Sequence, residues 1–174
     1  MKGRVQAVKE FRSASSKAAT RRLADTPYLF GELRQPSGDY VVIPLHSSEH
    51  RKYVPMGFFT KEDIVHNSCS TLQNATLYHF GVLTSAMHMA WMRQVCGRLK
   101  SDYRYSNQLV YNNFPWPEQP TPAQVARVER GAQAVLDARA AFPTSTLADL
   151  YDPLTMPRPL LDAHKRLDAA VDAC

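Results

Sequence analysis

The stretch "PWPEQPTP", with prolines at 115, 117, 120 and 122, constrains this chain more than any other feature. Proline has no backbone N–H to give to a ladder and its ring clashes with the preceding helical turn, so neither strand nor helix can run through the stretch. It divides the chain into two expected domains, 1–117 and 118–174. The two sides differ in pattern. Before it, short runs of β-branched and aromatic residues are punctuated by turn residues. After it, apolar residues recur at three- and four-residue spacing: Val125, Val128, Ala132, Val135, Leu136 and Ala140 on a helix opened by Pro122, then a short capped helix in "TSTLADLY", then Leu160, His164, Leu167 and Val171 in line on a last helix. The expected fold is α+β: a mixed or antiparallel sheet with flanking helices, followed by a small helical C-terminal domain.

Within the first segment, residues 1–24 predict one helix with Val5, Val8, Phe11, Ala18, Ala19 and Leu23 near one face. "PYLFGELRQPSGDYVVIPL" predicts two strands joined by a turn at Pro36-Ser37-Gly38, and "RKYVPMGFF" a third, at an edge or bulge because of Pro55. "TKEDI" predicts a short helical turn capped by Thr60. "NATLYHFGV" predicts an extended segment. From Leu83 to Val95 the period becomes helical, with Thr84 or Ser85 as N-cap and Gly97 as terminator. "GRLKSDYRYS" then alternates as a strand, and "NQLVYNNFPWP" continues as a second strand or extended segment.

Composition excludes several classes of chemistry. The seven glycines are scattered and form neither a G-x-G nor a phosphate-binding loop. There is no G-x-S-x-G elbow and no H-E-x-x-H. Cys69, Cys96 and Cys174 form no C-x-x-C pair, and the six histidines do not cluster with carboxylates at ligand spacing. His46 and His50 read as solvent histidines, and His88 as a satisfied core or interface histidine. The sequence therefore offers no catalytic residue, no metal site and no cofactor site of its own. No apolar run approaches the length of a membrane span, and the charged N-terminus lacks a signal peptide, so the expected compartment is the cytoplasm.

The formal charge is +5. Lys2, Arg4, Lys9, Arg12, Lys17, Arg21 and Arg22 crowd the N-terminus against only Glu10 and Asp25. Such a balance is compatible with nucleic acid but does not establish it. A sharper signal lies in "GRLKSDYRYS". Taken as one strand, it puts Arg98, Lys100, Asp102 and Arg104 on one face, with Tyr103 and Tyr105 inward. A lone acid in a row that grips phosphates is unfavourable. The acid makes sense where it selects a base: guanine offers two acceptors to Lys or Arg, and cytosine offers its N4 donor to Asp. The competing reading is a solvated ion pair on a surface strand, worth under about 1 kcal/mol. Ser47, Ser48, Arg51 and Lys52 in "HSSEHRKY", together with Arg21 and Arg22, are candidates for backbone phosphate contacts.

The string "LTSAMHMAWMRQVCGRLKSDYRYSNQLVYNNFPWP", together with "LADLYDPLTMPRPLLDAHKRLDAAVD", resembles the C-terminal region of MmeI-like DNA methyltransferases, the type IIL restriction–modification enzymes and their stand-alone relatives. The resemblance runs from about Phe11 to Asp172. It implies a target-recognition domain up to about Pro117, a helical C-terminal domain after it, double-stranded DNA as partner, and base reading by Lys100, Asp102 and Arg104, with Arg98 beside them. It also implies a parent that is an adenine-specific, S-adenosylmethionine-dependent methyltransferase, alone or joined to an endonuclease. The catalytic N-P-P-Y/F motif and the cofactor loop of that parent are not in this sequence, so the chain reads as a fragment whose own methyltransferase domain lies elsewhere. The alternative kept beside this is a protein-interaction or scaffold module whose basic face meets an acidic protein.

Overall fold

The computed structural model describes residues 2–32 and 34–174. It divides into two compact units, 1–35 and 36–174.

In the first unit the expected single helix is broken into α1 (Lys2–Ser13) and α2 (Ala18–Arg22), followed by a 3-10 turn at Leu23–Asp25. The break falls in "SASS", where short hydroxyl side chains compete for backbone groups. Ser15 Oγ accepts the Lys17 N–H at 3.2 Å, and the Arg21 guanidinium donates to the Ser15 and Ser16 carbonyls at 2.9 and 2.8 Å. Arg12 reaches the Leu23, Thr26 and Leu29 carbonyls. The strand expected ahead of the Pro36 turn is not formed among the described residues, which are turns and bends from Ser-free "TPYLFGE" onward; Leu33, in that stretch, lies outside them.

The second unit holds two three-stranded antiparallel sheets. The first has the order β3-β1-β4, built from β1 (Tyr40–Pro44), β3 (Gly57–Phe59) and β4 (Cys69–Gln73). Pro55 is followed by the edge strand, where its missing N–H is harmless. β4 escapes the sequence reading because "CSTLQ" is only half-buried and carries no clean alternation. The second sheet has the order β2-β6-β5, from β2 (His46–Ser47), β5 (Gly97–Leu99) and β6 (Asp102–Arg104). The chain passes from one sheet to the other at Leu45, whose N–H donates to Ser68 O and whose carbonyl accepts the Tyr105 N–H.

Two segments read as extended are helical. Residues Leu77–Leu83 form α3, opened by a capping box in which Thr76 Oγ1 accepts the His79 N–H and His79 Nδ1 accepts the Thr76 N–H. Apparent alternation over Leu77–Gly81 is overridden because Phe80, Gly81, Val82 and Leu83 are all buried together. Asn107–Tyr111 forms a π-turn, with the Asn112 N–H reaching Asn107 O at 2.8 Å and the Trp91 indole N–H donating to Val110 O at 2.9 Å.

α4 (Ala86–Val95) starts at the N-cap Ser85. After the prolines come α5 (Pro122–Ala140), with a Thr121–Gln124 capping box, then α6 (Leu147–Leu150) and α7 (Arg158–Val171). These helices share one core with the sheets and α3, including Val41, Tyr53, Met56, Phe80, Leu83, Val128, Leu160 and Leu167. Glycine permits the closest approaches. A Cβ on Gly81 would stand 2.7 Å from Val128 Cγ1, and one on Gly131 3.1 Å from Leu167 Cα.

A buried polar chain crosses the same contact. The Tyr53 hydroxyl donates to Asp168 Oδ2 at 2.7 Å, and Asp168 Oδ1 accepts the Ala86 N–H at 2.8 Å, so a side chain of α7 caps α4. His164 stacks on Tyr53 and shares a 2.7 Å hydrogen bond with the Tyr151 hydroxyl, which Arg139 also contacts while donating to Met56 O.

Burial holds the His88 imidazole down, to about 4. It holds His164 to about 3, with the Arg139 and Lys52 charges pushing the same way. The unfolded chain protonates these rings near pH 6.5 while the folded chain refuses the proton, so stability is fully present above that pH and falls as pH drops toward 4. Each histidine is expected to contribute up to about 1.4 kcal/mol of loss per pH unit in that window. Thermal melts at pH 7 and pH 5 check this, and the loss should shrink in His164→Gln. An unchanged melting temperature across the window would contradict it.

Candidate functional site

The row of charges is a hairpin, not one strand. β5 and β6 pair Gly97 with Arg104, Arg98 with Tyr103 and Leu99 with Asp102, leaving Lys100 and Ser101 as a two-residue turn. Cross-strand partners share a face, so the turn reverses the parity: Arg98 joins Tyr103, on the face opposite Asp102 and Arg104. The expected single face holding Arg98 with the other three is therefore corrected. The Arg98 guanidinium lies 4.1 Å from the Tyr103 ring centroid and donates to Ser101 O at 2.9 Å, so it braces the turn from the inner side.

The outer face carries Asp102 and Arg104, whereas Lys100 lies in the turn rather than on a strand face. Asp102, Arg104 and Leu99 are exposed there, and β2 adds His46 opposite Arg104. Gly97, Arg104's other cross-strand neighbour, has no side chain to cover it. Lys100 stands at the tip with φ 56, in the left-handed region. A non-glycine residue there costs about 1–2 kcal/mol. The inner face is packed: Tyr103 and Tyr105 are buried as expected, and the Tyr105 hydroxyl shares a 3.1 Å hydrogen bond with the buried His88. Burial also raises the Tyr105 phenol.

The loop after β2 closes against this hairpin. The Glu49 N–H donates to Oδ1 of the exposed Asp102 at 3.2 Å, which ties the carboxylate to the loop. Among the loop candidates, Ser47 pairs with Tyr103 on the inner face and is only 4% exposed, so it is corrected from a phosphate contact to part of the packed side. Ser48 and Arg51 are half-buried and line an open depression. Lys52 is exposed at its surface but leans over Tyr53 and toward His164. In the N-terminal unit, Arg21 holds the carbonyls of the α1–α2 break and Arg22 is exposed.

His46 and Leu99 belong to the outer face and were missed from sequence. Their places follow from the register of a hairpin whose turn, Lys100-Ser101, carries none of the Gly or Asn that usually marks one. Among the described residues no group of His, Cys, Asp and Glu is arranged to hold a metal ion, and no helix is long and apolar enough to cross a membrane.

Comparison with known proteins gives a consistent picture. Residues 1–118 match the family model described as MmeI, target recognition domain, and residues 120–174 the one described as MmeI, C-terminal domain. The DNA methyltransferase A of Bacillus subtilis (strain 168) is 40% identical over 169 residues, which is 97% of this chain and 19% of that protein. The solved structure of the type IIL restriction-modification enzyme MmeI in complex with DNA aligns with a TM-score of 0.90 at 48% identity, covering 98% of this chain and 23% of that one. The chain thus spans about a fifth of the length of the relatives it matches. It belongs to the MmeI family, as a target recognition domain followed by a C-terminal domain.

Proposed function

We propose that this chain is the sequence-reading part of an S-adenosylmethionine-dependent, adenine-N6 DNA methyltransferase of the restriction–modification type, and that the β5–β6 hairpin enters the major groove. The observation that carries the reading is the outer face of that hairpin: Lys100 at the tip, Asp102 and Arg104 beside it, all exposed, on a two-stranded ribbon of the kind the major groove admits. Lys100 donates to guanine O6 or N7, Asp102 accepts from the N4 of the paired cytosine, and Arg104 takes the neighbouring position. Lys100 keeps a side chain where glycine would relieve the backbone, which supports a role for its ammonium.

The division near Pro117 separates reading from support: the hairpin and its loop meet DNA, and the helices after the prolines hold them in place. The cofactor belongs to the catalytic part of the longer relatives. The catalytic part flips the target adenine while this chain holds the duplex, and the working compartment is the cytoplasm.

The test is selection from a randomised duplex pool with the chain. An enriched motif containing at least one fixed G·C pair, with binding that weakens as salt rises, is the expected result. A pool that stays random while an acidic protein is retained would replace this reading with the interaction-module one.

A further inference from the structure

We propose that the turn Asp152–Thr155 and Arg51 form a second point of contact with duplex DNA, in which Arg51 takes a backbone phosphate and Leu154 lies against the deoxyribose edge beside it. This rests on the DNA reading above and extends it to the segment after the prolines.

The observations are these. Ser48, His50, Arg51, Asp152, Pro153 and Leu154 line one open depression of about 500 Å³. One side of it is the loop that also holds Asp102 through the Glu49 N–H, so the depression and the hairpin share that loop. Half-buried Arg51 has no hydrogen-bond or ion-pair partner for its guanidinium among the described residues, so its positive charge at the depression is not neutralised by a contact there. Asp152 is the one carboxylate lining the depression, and its Oδ1 is turned inward to accept the Leu154 N–H at 2.8 Å.

Leu154 is 94% exposed. A single exposed leucine is ordinary on a slack loop. This one is not on a slack loop. The Thr155 and Met156 N–H groups return to Asp152 O at 3.2 and 2.9 Å, Thr155 Oγ1 donates to Asp149 O at 2.9 Å, and Pro153 fixes the backbone between. The turn presents an apolar tip rigidly beside a cation. A nucleic-acid backbone offers that pair of surfaces in alternation, an anionic phosphate and an apolar sugar face.

Both contacts are independent of sequence, so a mixed-sequence duplex suffices as probe. Binding of the chain is followed by fluorescence anisotropy over a salt series. Leu154→Asp, which sets a carboxylate against the backbone, is expected to weaken binding about tenfold without moving the melting temperature. Arg51→Gln is expected to weaken binding and lower the slope of log affinity against log salt by about one, and Arg51→Lys to keep that slope. If Leu154→Asp and Arg51→Gln bind like the parent while charge changes at Lys100 and Arg104 weaken binding, the second contact is wrong and the hairpin reading stands. If the parent chain itself fails to bind duplex at low salt, both fall together.

Discussion

Exchanging the charges at the hairpin tip, Lys100→Glu with Asp102→Arg, is expected to reverse the orientation of one preferred G·C pair while leaving the rest of the recognised sequence unchanged. Glutamate at the tip would accept from cytosine N4, and arginine at the start of β6 would donate to the guanine of the same pair. Good pairings of this kind discriminate by about 1–3 kcal/mol, about five- to 150-fold in relative affinity. Each single change should behave differently. Lys100→Glu alone sets two carboxylates at the tip and should weaken binding to every duplex. Arg98→Lys should leave the base preference where it is, because Arg98 stacks inward on Tyr103 and ties the turn. Lys100→Gly separates reading from folding. It removes the strained φ and should stabilise the chain by up to about 1 kcal/mol, yet lose the discrimination. Competition between two duplexes that differ only by inversion of that base pair measures the effect. A folded double variant with the parent's preference would move base reading to another loop.

What the sequence made legible here was residue chemistry, and what it hid was parity. The inward tyrosines and the helices after the prolines are where their chemistry demands. Arg98 is misplaced by sequence because strand alternation is preserved through a two-residue turn only if the turn is ignored. Lys100-Ser101 gives no glycine or asparagine to betray it. Ser47 fails for the same reason: its face is fixed by pairing with Tyr103, a partner more than fifty residues away. α3 was read as extended because five residues of alternation outweighed a capping box whose third-position partner is His79 rather than Glu or Gln. In each case the deciding term is a tertiary contact that no local window contains.

The 1–117 segment expressed alone is expected not to fold cooperatively, although the prolines and the family boundaries both divide the chain there. The division is one of sequence, not of core. α3 buries Phe80, Val82 and Leu83, and its Gly81 faces Val128, Ala132 and Leu167 from beyond the prolines. Re-exposing three such side chains costs about 5 kcal/mol or more, the scale of a small protein's whole stability. Losing Asp168 also leaves the Ala86 N–H at the start of α4 and the Tyr53 hydroxyl without their acceptor, and losing Arg139 removes the donor to Met56 O. The same contact is testable by a point change. Gly81→Val puts its Cβ 2.7 Å from Val128 Cγ1 and 3.3 Å from Ala132 Cβ and Leu167 Cδ1, and is expected to lower stability by about 3 kcal/mol through overpacking. Gly81→Ala should lose less, since alanine regains about 1 kcal/mol of helix propensity. Val128→Ala should then recover part of that loss, giving a coupling above about 0.5 kcal/mol in a double-mutant cycle read by denaturant melts. A sharp unfolding transition for 1–117 alone, with no coupling between Gly81 and Val128, would mean that the C-terminal helices are merely appended and that the hairpin needs no support from them.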